Sequence, residues 1–379
     1  MRNTTFLHIF LIAIILTVIG CGKDPIIPVD EDPEDSLLEI PYEPTNVEIQ
    51  YPEYTSLILG NSLAIPKMDI PQDNPLTEEG IDLGKHLFYD RLLSADYSMS
   101  CSSCHLQRGS FTDNFATSRG VDGISGRRSS MSLFNIGFTN NGLFWDGRSE
   151  TLEEQALLPV IDEIELHNNW DTVVNRLQKT DLYPEKFRRA FGIEKKSEIT
   201  KELAAKALAQ FQRSIYSFES KFDKYLKGEA VLTDDELYGL EMYVDAPDAT
   251  DAQCAHCHNL PLMTSDDYFN NGLQEAATLD DFEDLGRGVI TGRVQNGFFR
   301  APTLRNIEYS APYMHDGSLQ TLDDVIDHYA SGGKESPNKD PLLDDIFLTE
   351  YDKEALKAFL LTLSDEAFIN DEAFKDPFE

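Results

Sequence analysis

The sequence is poor in basic residues, in cysteine and in strand-like alternation. Lys and Arg number 32 against 67 Asp and Glu, so the formal net charge is −35 at pH 7. Such an acidic surface repels polyanions, which argues against nucleic acid and anionic lipid surfaces as partners. It would steer in a basic partner protein, although high acidity is also a common solubility trait. The absence of alternating apolar stretches favours helices over sheets.

Four of the five cysteines fall in two copies of one motif. Residues 101–105 read CSSCH and residues 254–258 read CAHCH. This C-x-x-C-H spacing is typical of c-type haem attachment. Thiols at positions i and i+3 of a helical turn lie on one face, so both reach the vinyl groups of one porphyrin. The next residue, His105 or His258, then offers an imidazole nitrogen to the iron.

Two zinc half-sites or a thioredoxin-like redox pair are the alternative interpretations of these motifs. A zinc site made of cysteines needs no histidine directly after each pair, and a thioredoxin-like pair does not occur twice. We therefore predict two covalently bound haem c groups. The attachment residues are Cys101, Cys104, His105, Cys254, Cys257 and His258.

Residues 1–20 have the form of an export signal. Arg2 supplies a positive charge, and residues 6–19 form an apolar run that is too short to span a bilayer comfortably. The run ends in VIGC at Cys21, which resembles a bacterial lipobox and implies lipidation of that sulfur. The alternative is a plain signal peptide with an incidental cysteine. We expect an exported lipoprotein, periplasmic or on the cell surface, which meets the membrane only through its lipid.

The mature chain divides by composition. Residues 21–55 are acidic and rich in proline, so we expect an extended tether. We predict an all-α fold of two cytochrome c-like helical domains with one haem each, residues 56–227 and residues 228–379, divided near Gly228. Five features of the sequence predict helices. They are a periodic stretch over 77–89, a capping box at 151–154 that opens a helix ended by Pro159, one long apolar stripe over 203–226, a capping box at 233–236, and an acidic first turn after Thr321.

Three stretches carry a family resemblance. They are LGKHLFYDRLLSADYSMSCSSCH (83–105), FWDGRSETLEEQALLPV (144–160) and FRAPTLRNIEYSAPYMHDGSLQTLDDVIDHYASGG (299–333). The sequence is identified by them as a member of the bacterial di-haem cytochrome c peroxidases, which include the di-haem enzyme that matures methylamine dehydrogenase. The resemblance implies reduction of hydrogen peroxide at the N-terminal haem. Electrons would come from a small donor such as a cytochrome c and pass through the C-terminal haem.

The resemblance also implies the residues of the peroxide site. The family has a tryptophan between the haems, which is Trp145 here unless that side chain only packs the two domains together. Its distal pocket holds a glutamine and a glutamate, which correspond to Gln155 and Glu165, ten and twenty residues after Trp145. A carboxylate can act there as general base and then general acid, and Gln155 can hold peroxide by hydrogen bonding. Glu163 is the alternative if the register shifts.

Two positions depart from the usual pattern of the family. Many members carry a distal histidine on the peroxidatic haem, but no histidine lies between His105 and Glu165, and the corresponding loop reads GISGRRSS (123–130). We therefore expect the first haem to be open on its distal side without activation. The usual distal methionine of the second haem is replaced by Tyr329, fourteen residues after His315.

The ligand at the second haem bears on the choice of function. A phenolate from Tyr329 stabilises oxidised iron and lowers the potential, whereas a thioether favours the ferrous state. His328 and Met314 are alternative ligands. The sequence is compatible with a peroxidase, with a di-haem oxidase that uses peroxide equivalents on a protein or organic substrate, and with a non-catalytic electron-transfer cytochrome. Tyr329 favours the second, and the predicted peroxide pocket argues against the third.

A calcium ion bridges the domains in the family. Backbone carbonyls near a T-A-P-Y sequence hold part of that ion, and the corresponding residues here are Ser310 and Pro312. The usual asparagine ligand corresponds to Ser129. Carbonyl oxygens suit calcium whatever the residue type, so the resemblance implies a possible calcium site.

Overall fold

The computed structural model describes residues 35–55, 57–58, 61–246 and 252–379. The predicted export signal and Cys21 lie outside these residues. The described chain is mostly helical, and none of its helices is both long and apolar enough to cross a membrane.

The α-helices differ widely in length. They are α1 (Glu78–Tyr89), α2 (Leu152–Ile161), α3 (Trp170–Gln178), α4 (Leu182–Phe191), α5 (Lys201–Ser214), α6 (Lys221–Leu226), α7 (Asp234–Tyr243), α8 (Cys254–Cys257), α9 (Gly288–Thr291), α10 (Leu322–Ala330), α11 (Glu350–Leu361) and α12 (Glu366–Ile369). Short 3-10 helices span Arg91–Leu93, Cys101–Ser103, Gln107–Gly109, Ile136–Phe138, Lys196–Glu198, Arg293–Gln295, Ile307–Tyr309, Pro341–Asp345 and Glu372–Phe374.

Two small antiparallel sheets accompany the helices. Strand β1 (Leu57–Ile58) pairs with β2 (Asn61–Ser62), and β3 (Tyr268–Phe269) pairs with β4 (Phe299–Arg300). The all-α prediction therefore holds for most of the described chain but misses these strands. Two-residue strands are too short to produce a detectable alternation.

The described helices surround two large apolar cores. In the first, α5 packs against α1 and α2, with Leu83, Leu87 and Phe211 fully buried between them. In the second, α7 packs against α11 around Tyr243 and Phe359. Each core lies beside one C-x-x-C-H motif, since Cys101 packs against the first and Cys254 against the second.

Most predicted helix starts are confirmed. Thr77, Thr151, Thr233 and Thr321 each cap a helix, and their side-chain oxygens accept hydrogen bonds from the first turn. The prediction that Pro159 ends its helix is wrong, because α2 continues to Ile161. Proline in the last turn costs only one backbone hydrogen bond there, and the helix end tolerates that loss.

The single long helix predicted over residues 203–226 is also wrong. The chain is helical in α5 and α6 but not between them. Asn135 binds this break from another part of the chain, because its N–H donates to the carbonyl of Ile215 and its side-chain oxygen accepts from the N–H of Ser217. A capping box at Ser220 then starts α6. Phe222 and Leu226 belong to the second core, while the predicted division near Gly228 stays a prediction.

Residues 35–55 contact both cores at single positions, while the tether expected over residues 21–55 stays a prediction. Leu37 is buried in the first core and Tyr54 in the second. The backbone of this segment also bonds to the carbonyls of Leu76, Glu194 and Leu226. A few well-placed apolar side chains and backbone bonds therefore outweigh the segment's like charges.

Candidate functional site

The first C-x-x-C-H motif forms one tight helical turn, as predicted. The N–H groups of Cys104 and His105 both donate to the carbonyl of Cys101, over 3.2 and 3.0 Å. The imidazole of His105 is half-buried, and its Nδ1 lies 2.8 Å from the carbonyl oxygen of Phe111. A proton on Nδ1 would satisfy this bond and leave the lone pair of Nε2 for a metal.

The second motif repeats this arrangement on α8. The N–H of His258 donates to the carbonyl of Cys254 over 2.9 Å, which keeps both cysteines on one turn. Its Nδ1 lies 2.9 Å from the carbonyl oxygen of Pro302. Burial lowers the pKa of His258 to about 4, so the ring is neutral at physiological pH and can act as a ligand.

Both motifs therefore fit a covalently attached haem. The four cysteines are not joined by disulfide bonds, and each pair sits on a single helical turn beside a fixed imidazole. Among the described residues, no cluster of three or more His, Cys, Asp or Glu is arranged to hold a metal ion.

Trp145 bonds both to the segment that follows the first motif and to the segment that follows the second. Its indole Nε1 donates to the carbonyl of Ser129 over 2.9 Å, and its own carbonyl accepts from the N–H of Arg300 over 2.9 Å. Ser130, next to Ser129, donates through its hydroxyl to the carbonyl of Cys104. A path of two hydrogen bonds, through the neighbouring residues Ser129 and Ser130, therefore connects the indole to Cys104 of the first motif.

Tyr268 and Arg287, which follow the second motif in the chain, pack against the turn that carries Trp145. Gly147 has a φ of +76°, and a side chain there would collide with the Tyr268 hydroxyl and the Arg287 guanidinium. Asp146 accepts a hydrogen bond from Arg128, which also binds Asp284 through two nitrogens. This turn is therefore held rigidly, with space only for glycine at its tip.

Glu165 is a partly buried carboxyl group near the first motif. Burial raises its pKa to about 7; Asp162 raises it further, and Arg148 lowers it. Burial likewise raises the pKa of Cys101 to about 12, and the charges of Cys104 and Glu165 add to that effect. The charge of Glu165 acts on both Cys101 and Cys104, so this carboxyl lies near the thiols of the first motif, whereas Glu163 is exposed to solvent.

Gln155 and Glu165 come from adjacent elements. Gln155 lies in the middle of α2, and the chain turns back after that helix so that the N–H of Leu166 donates to the carbonyl of Pro159. Arg148 was not predicted from the sequence. Its guanidinium lies 3.5 Å from the centre of the Phe144 ring and also binds Asp146.

The residues directly before the loop at 123–130 pack against the segment that carries Glu165. The N–H of Val121 donates to the carbonyl of Glu165 over 2.9 Å. Gly120 lies so close to the carbonyls of Ile164 and Glu165 that a side chain would not fit. His167, two residues after Glu165, is half exposed, and its Nδ1 binds the Asp122 carboxylate.

Tyr329 lies on α10 beside the second motif. Burial raises its pKa to about 12; the amide of Asn271 lowers it, and the nearby thiols of Cys257 and Cys254 raise it. Deprotonation of this phenol therefore needs a cation nearby, and a haem iron would supply one.

The two other candidate ligands contact the same residue, Asn271, Met314 at its side-chain amide and His328 at its backbone carbonyl. Asn271 Nδ2 is 3.3 Å from the Tyr329 hydroxyl and 3.3 Å from the sulfur of Met314. The Nε2 atom of His328 is 2.9 Å from the carbonyl of Asn271. Sequence reasoning missed Asn271 because a single amide far from the ligand motif carries no pattern of its own.

The predicted calcium ligands lie on the loop before Met314. The carbonyls of Tyr309 and Ala311 each accept a hydrogen bond from Asn114 Nδ2 over 2.8 Å. The hydroxyl of Ser129 donates to the carbonyl of Met314 over 2.9 Å. This bond uses the proton of the hydroxyl and leaves its lone pairs in place, so calcium binding at this loop stays a prediction.

Comparisons with known proteins agree with these observations. The profile of the family described as "Di-haem cytochrome c peroxidase" matches residues 78–231. The methylamine utilization protein MauG of Methylorubrum extorquens is 34% identical over 300 residues, which cover 78% of this chain and 81% of that protein. The cytochrome-c peroxidase IdrP1 of Pseudomonas sp. (strain SCT) is 34% identical over 331 residues, or 79% of this chain and 84% of that protein.

A solved structure is also similar along nearly its whole length. It is described as a MauG-like protein associated with microbial copper homeostasis, and it is 36% identical to this chain. The two superimpose with a TM-score of 0.75 over 83% of this chain and 97% of that one.

Proposed function

The chain belongs to the di-haem cytochrome c peroxidase family, and from that premise we propose how its residues reduce hydrogen peroxide to water. The reaction consumes two electrons and two protons for each peroxide. The neutral, hydrogen-bonded imidazoles of His105 and His258 carry the proposal, because each motif can then hold one haem. A bound haem supplies an iron that binds peroxide and exchanges electrons one at a time.

Glu165 handles the protons in this proposal. A carboxyl with a pKa of about 7 is partly ionised at neutral pH, so it can take a proton from bound peroxide and return it to the departing oxygen. Its burial near Cys101 supports a position on the peroxide side of the first haem. Gln155 would orient the peroxide through its amide.

Arg148 helps to keep Glu165 usable as a base. Its positive charge opposes the effect of burial and of Asp162 on the carboxyl pKa. The contact with the Phe144 ring and the bond to Asp146 hold the guanidinium in place. We therefore assign Arg148 an electrostatic role in the same pocket.

Trp145 would pass electrons between the two haems. Its indole is bonded to Ser129, whose own N–H and hydroxyl bond to the carbonyls of His315 and Met314. These bonds join the tryptophan to the region of Tyr329 on one side and, through Ser130, to Cys104 on the other. A large π-system at such a junction shortens the gap between donor and acceptor.

A second function is supported by Tyr329. A phenolate ligand would favour oxidised iron at the second haem, which suits the oxidation of a protein or organic substrate rather than fast electron uptake. The amide of Asn271 lies within 3.3 Å of the phenol oxygen and would help to fix its position. The relative named methylamine utilization protein MauG is consistent with this alternative.

We further propose that the protein is exported and tethered by a lipid on Cys21, and that a small protein such as a cytochrome c donates electrons. The net charge of −35 supports a basic donor. Calcium held by the carbonyls of Ser310 and Pro312 also stays a prediction. Metal analysis of the purified protein tests it.

The decisive experiment measures peroxide consumption by the purified two-haem protein with a reduced cytochrome c as donor. Oxidation of two cytochromes for each peroxide supports the peroxidase. Slow donor oxidation, together with rapid reaction of the oxidised protein with peroxide, supports the oxidase instead.

A further inference from the structure

The last residues of the chain leave the second core and return to the first haem motif. Leu363 is buried in the second core, whereas Phe368 and Phe374 are buried in the first. Both phenylalanines end a copy of the same tetrapeptide, DEAF, at 365–368 and 371–374. We call residues 364–378 the C-terminal strap.

The strap packs its aromatic rings on Phe111. The centre of that ring lies 6.1 Å from the ring of Phe368 and 6.2 Å from that of Phe374. The two strap rings are 4.9 Å apart, and Phe368 meets Phe134 edge-on at 4.7 Å. Phe111 is completely buried by this cluster. Aromatic pairs in such arrangements stabilise a core beyond the effect of their buried area.

Phe111 supplies the carbonyl that holds His105. The imidazole Nδ1 lies 2.8 Å from that oxygen. Ser110 and Phe111 have φ values of +55° and +61°, in the left-handed region that residues with a side chain rarely adopt. A strained pair of residues persists only where its surroundings fix it. Here the strap rings share that fixation with the edge-on ring of Phe88 and with the bonds between Ser110 and Ser132.

Hydrogen bonds join the strap to the same loop. Gln107 Nε2 donates to the carbonyls of Phe368 and Asp371, over 3.0 and 2.8 Å. The hydroxyl of Tyr89 donates to the carbonyl of Phe374 over 2.5 Å. The loop between His105 and Phe111 is thus fixed to the strap both through Gln107 and through the ring of Phe111.

We propose that Phe368 and Phe374 are positioning residues for His105. They hold the carbonyl of Phe111 in place, which directs the imidazole and its Nε2 toward the first haem. The inference rests on the proposed function, in which His105 is the haem ligand. The second haem offers an internal comparison, because His258 bonds to Pro302 on a different loop.

The test compares Phe368→Ala and Phe374→Ala with the conservative Phe368→Leu. Phe378→Ala is the matched control, since that ring is 49% exposed at the end of the same strap. Cyanide binding to the oxidised protein and EPR spectra report on each haem. Partners of a metal-bound histidine commonly alter reactivity 10–100-fold. The strap acts on His105 only through Phe111. We therefore expect a smaller effect, in which the two alanine variants change the rate of cyanide binding about threefold to tenfold.

Phe368→Leu and Phe378→Ala should bind cyanide as the wild type does, and the EPR signal of the second haem should stay the same in every variant. If Phe368→Ala does not fold, Gln107→Leu removes two strap bonds without opening the aromatic cluster and should alter the first haem. Unchanged first-haem signals in these variants, or equal changes at both haems, would overturn the inference.

Results for the wild-type protein, rather than for the variants, would contradict the proposed function. A wild type without two haems contradicts the function and the inference together. A wild type whose two haems both resist cyanide contradicts only the open peroxide site. The EPR signal of the first haem then decides the role of the strap, because it must still change in Phe368→Ala.

Discussion

His167 binds Asp122 through a contact of 2.5 Å between its Nδ1 atom and the carboxylate. This histidine is the nearest one in sequence to Glu165, so it is the obvious substitute for the distal histidine that the loop at 123–130 lacks. Its bond to Asp122 joins the loop to the segment of Glu165 and engages one ring nitrogen. The structure therefore gives His167 a role in fixing the loop.

We predict that the oxidised protein contains one high-spin and one low-spin haem. The first haem has no distal histidine in the loop at 123–130. Low-temperature EPR of the protein as isolated checks this prediction, and His167→Gln should leave the high-spin signal in place. Two low-spin signals in the wild type would show that a sixth ligand occupies the first haem.

Glu165→Gln should retain both haems but slow the reaction with peroxide by about two orders of magnitude or more, the usual contribution of a general acid–base group. The amide keeps the size of the side chain and removes its ability to accept a proton. Stopped-flow mixing of the oxidised protein with peroxide measures the effect. Glu163→Gln is the matched control, because its side chain is exposed and should have little influence. A rate within a fewfold of wild type for Glu165→Gln would remove this residue from the mechanism.

The same reaction should slow as the pH falls below about 7. Burial raises the pKa of Glu165 to about 7, and only the ionised carboxylate can take the first proton from peroxide. Arg148 lowers this pKa, so Arg148→Gln should move the midpoint of the pH–rate profile to a higher pH. A midpoint that stays in place in Arg148→Gln, or survives in Glu165→Gln, would assign the titration to another group.

Local features of the site were predictable from the sequence, whereas contacts between distant segments were not. The haem motifs and the helix starts at Thr77, Thr151 and Thr233 depend on neighbours within four residues, and they appear in the structure as expected. The break between α5 and α6 depends on Asn135, which is about eighty residues away. The spacing of apolar residues along 203–226 does not reveal a hydrogen-bond partner so far away in the sequence.

The positions of Arg148, Asn271 and the strap illustrate the same limit. Arg148 carries an ordinary charge, and its effect on Glu165 arises only when the turn at Gly147 and the end of α2 come together. The repeated DEAF tetrapeptide was visible in the sequence, but its packing on Phe111 depends on the return of the chain to the first core. The roles of Gln155, Trp145 and Tyr329 stay predictions.

Stability should depend on the ion pair between Asp223 and Arg305. Two bonds of 2.8 and 2.9 Å join them, both side chains are buried, and the hydroxyl of Tyr54 also donates to Asp223. Asp223→Asn would leave the guanidinium without its countercharge, which costs about 3–5 kcal/mol in such sites. Urea unfolding measures the loss. Asp280→Asn, which breaks an exposed pair with Arg293, is the control and should change little.

The final prediction separates the peroxidase from the oxidase at Tyr329. If its phenolate ligates the second haem, the iron is biased toward oxidised states, and Tyr329→Met should raise the potential of that haem. Tyr329→His should instead give the low-spin spectrum of a haem with two histidine ligands. His328→Gln is the control, because the Nε2 atom of His328 is bound to Asn271 and should not reach the iron.

Peroxide added to the oxidised wild type should then alter the near-infrared and Mössbauer signals of both haems, because Trp145 lets them share the oxidising equivalents. Tyr329→Met and Tyr329→His should lose the change at the second haem while the first still reacts. The opposite result is equally clear. If peroxide alters only the first haem of the wild type, and a reduced cytochrome donor restores rapid turnover, Tyr329 does not serve an oxidase and the peroxidase function stands alone.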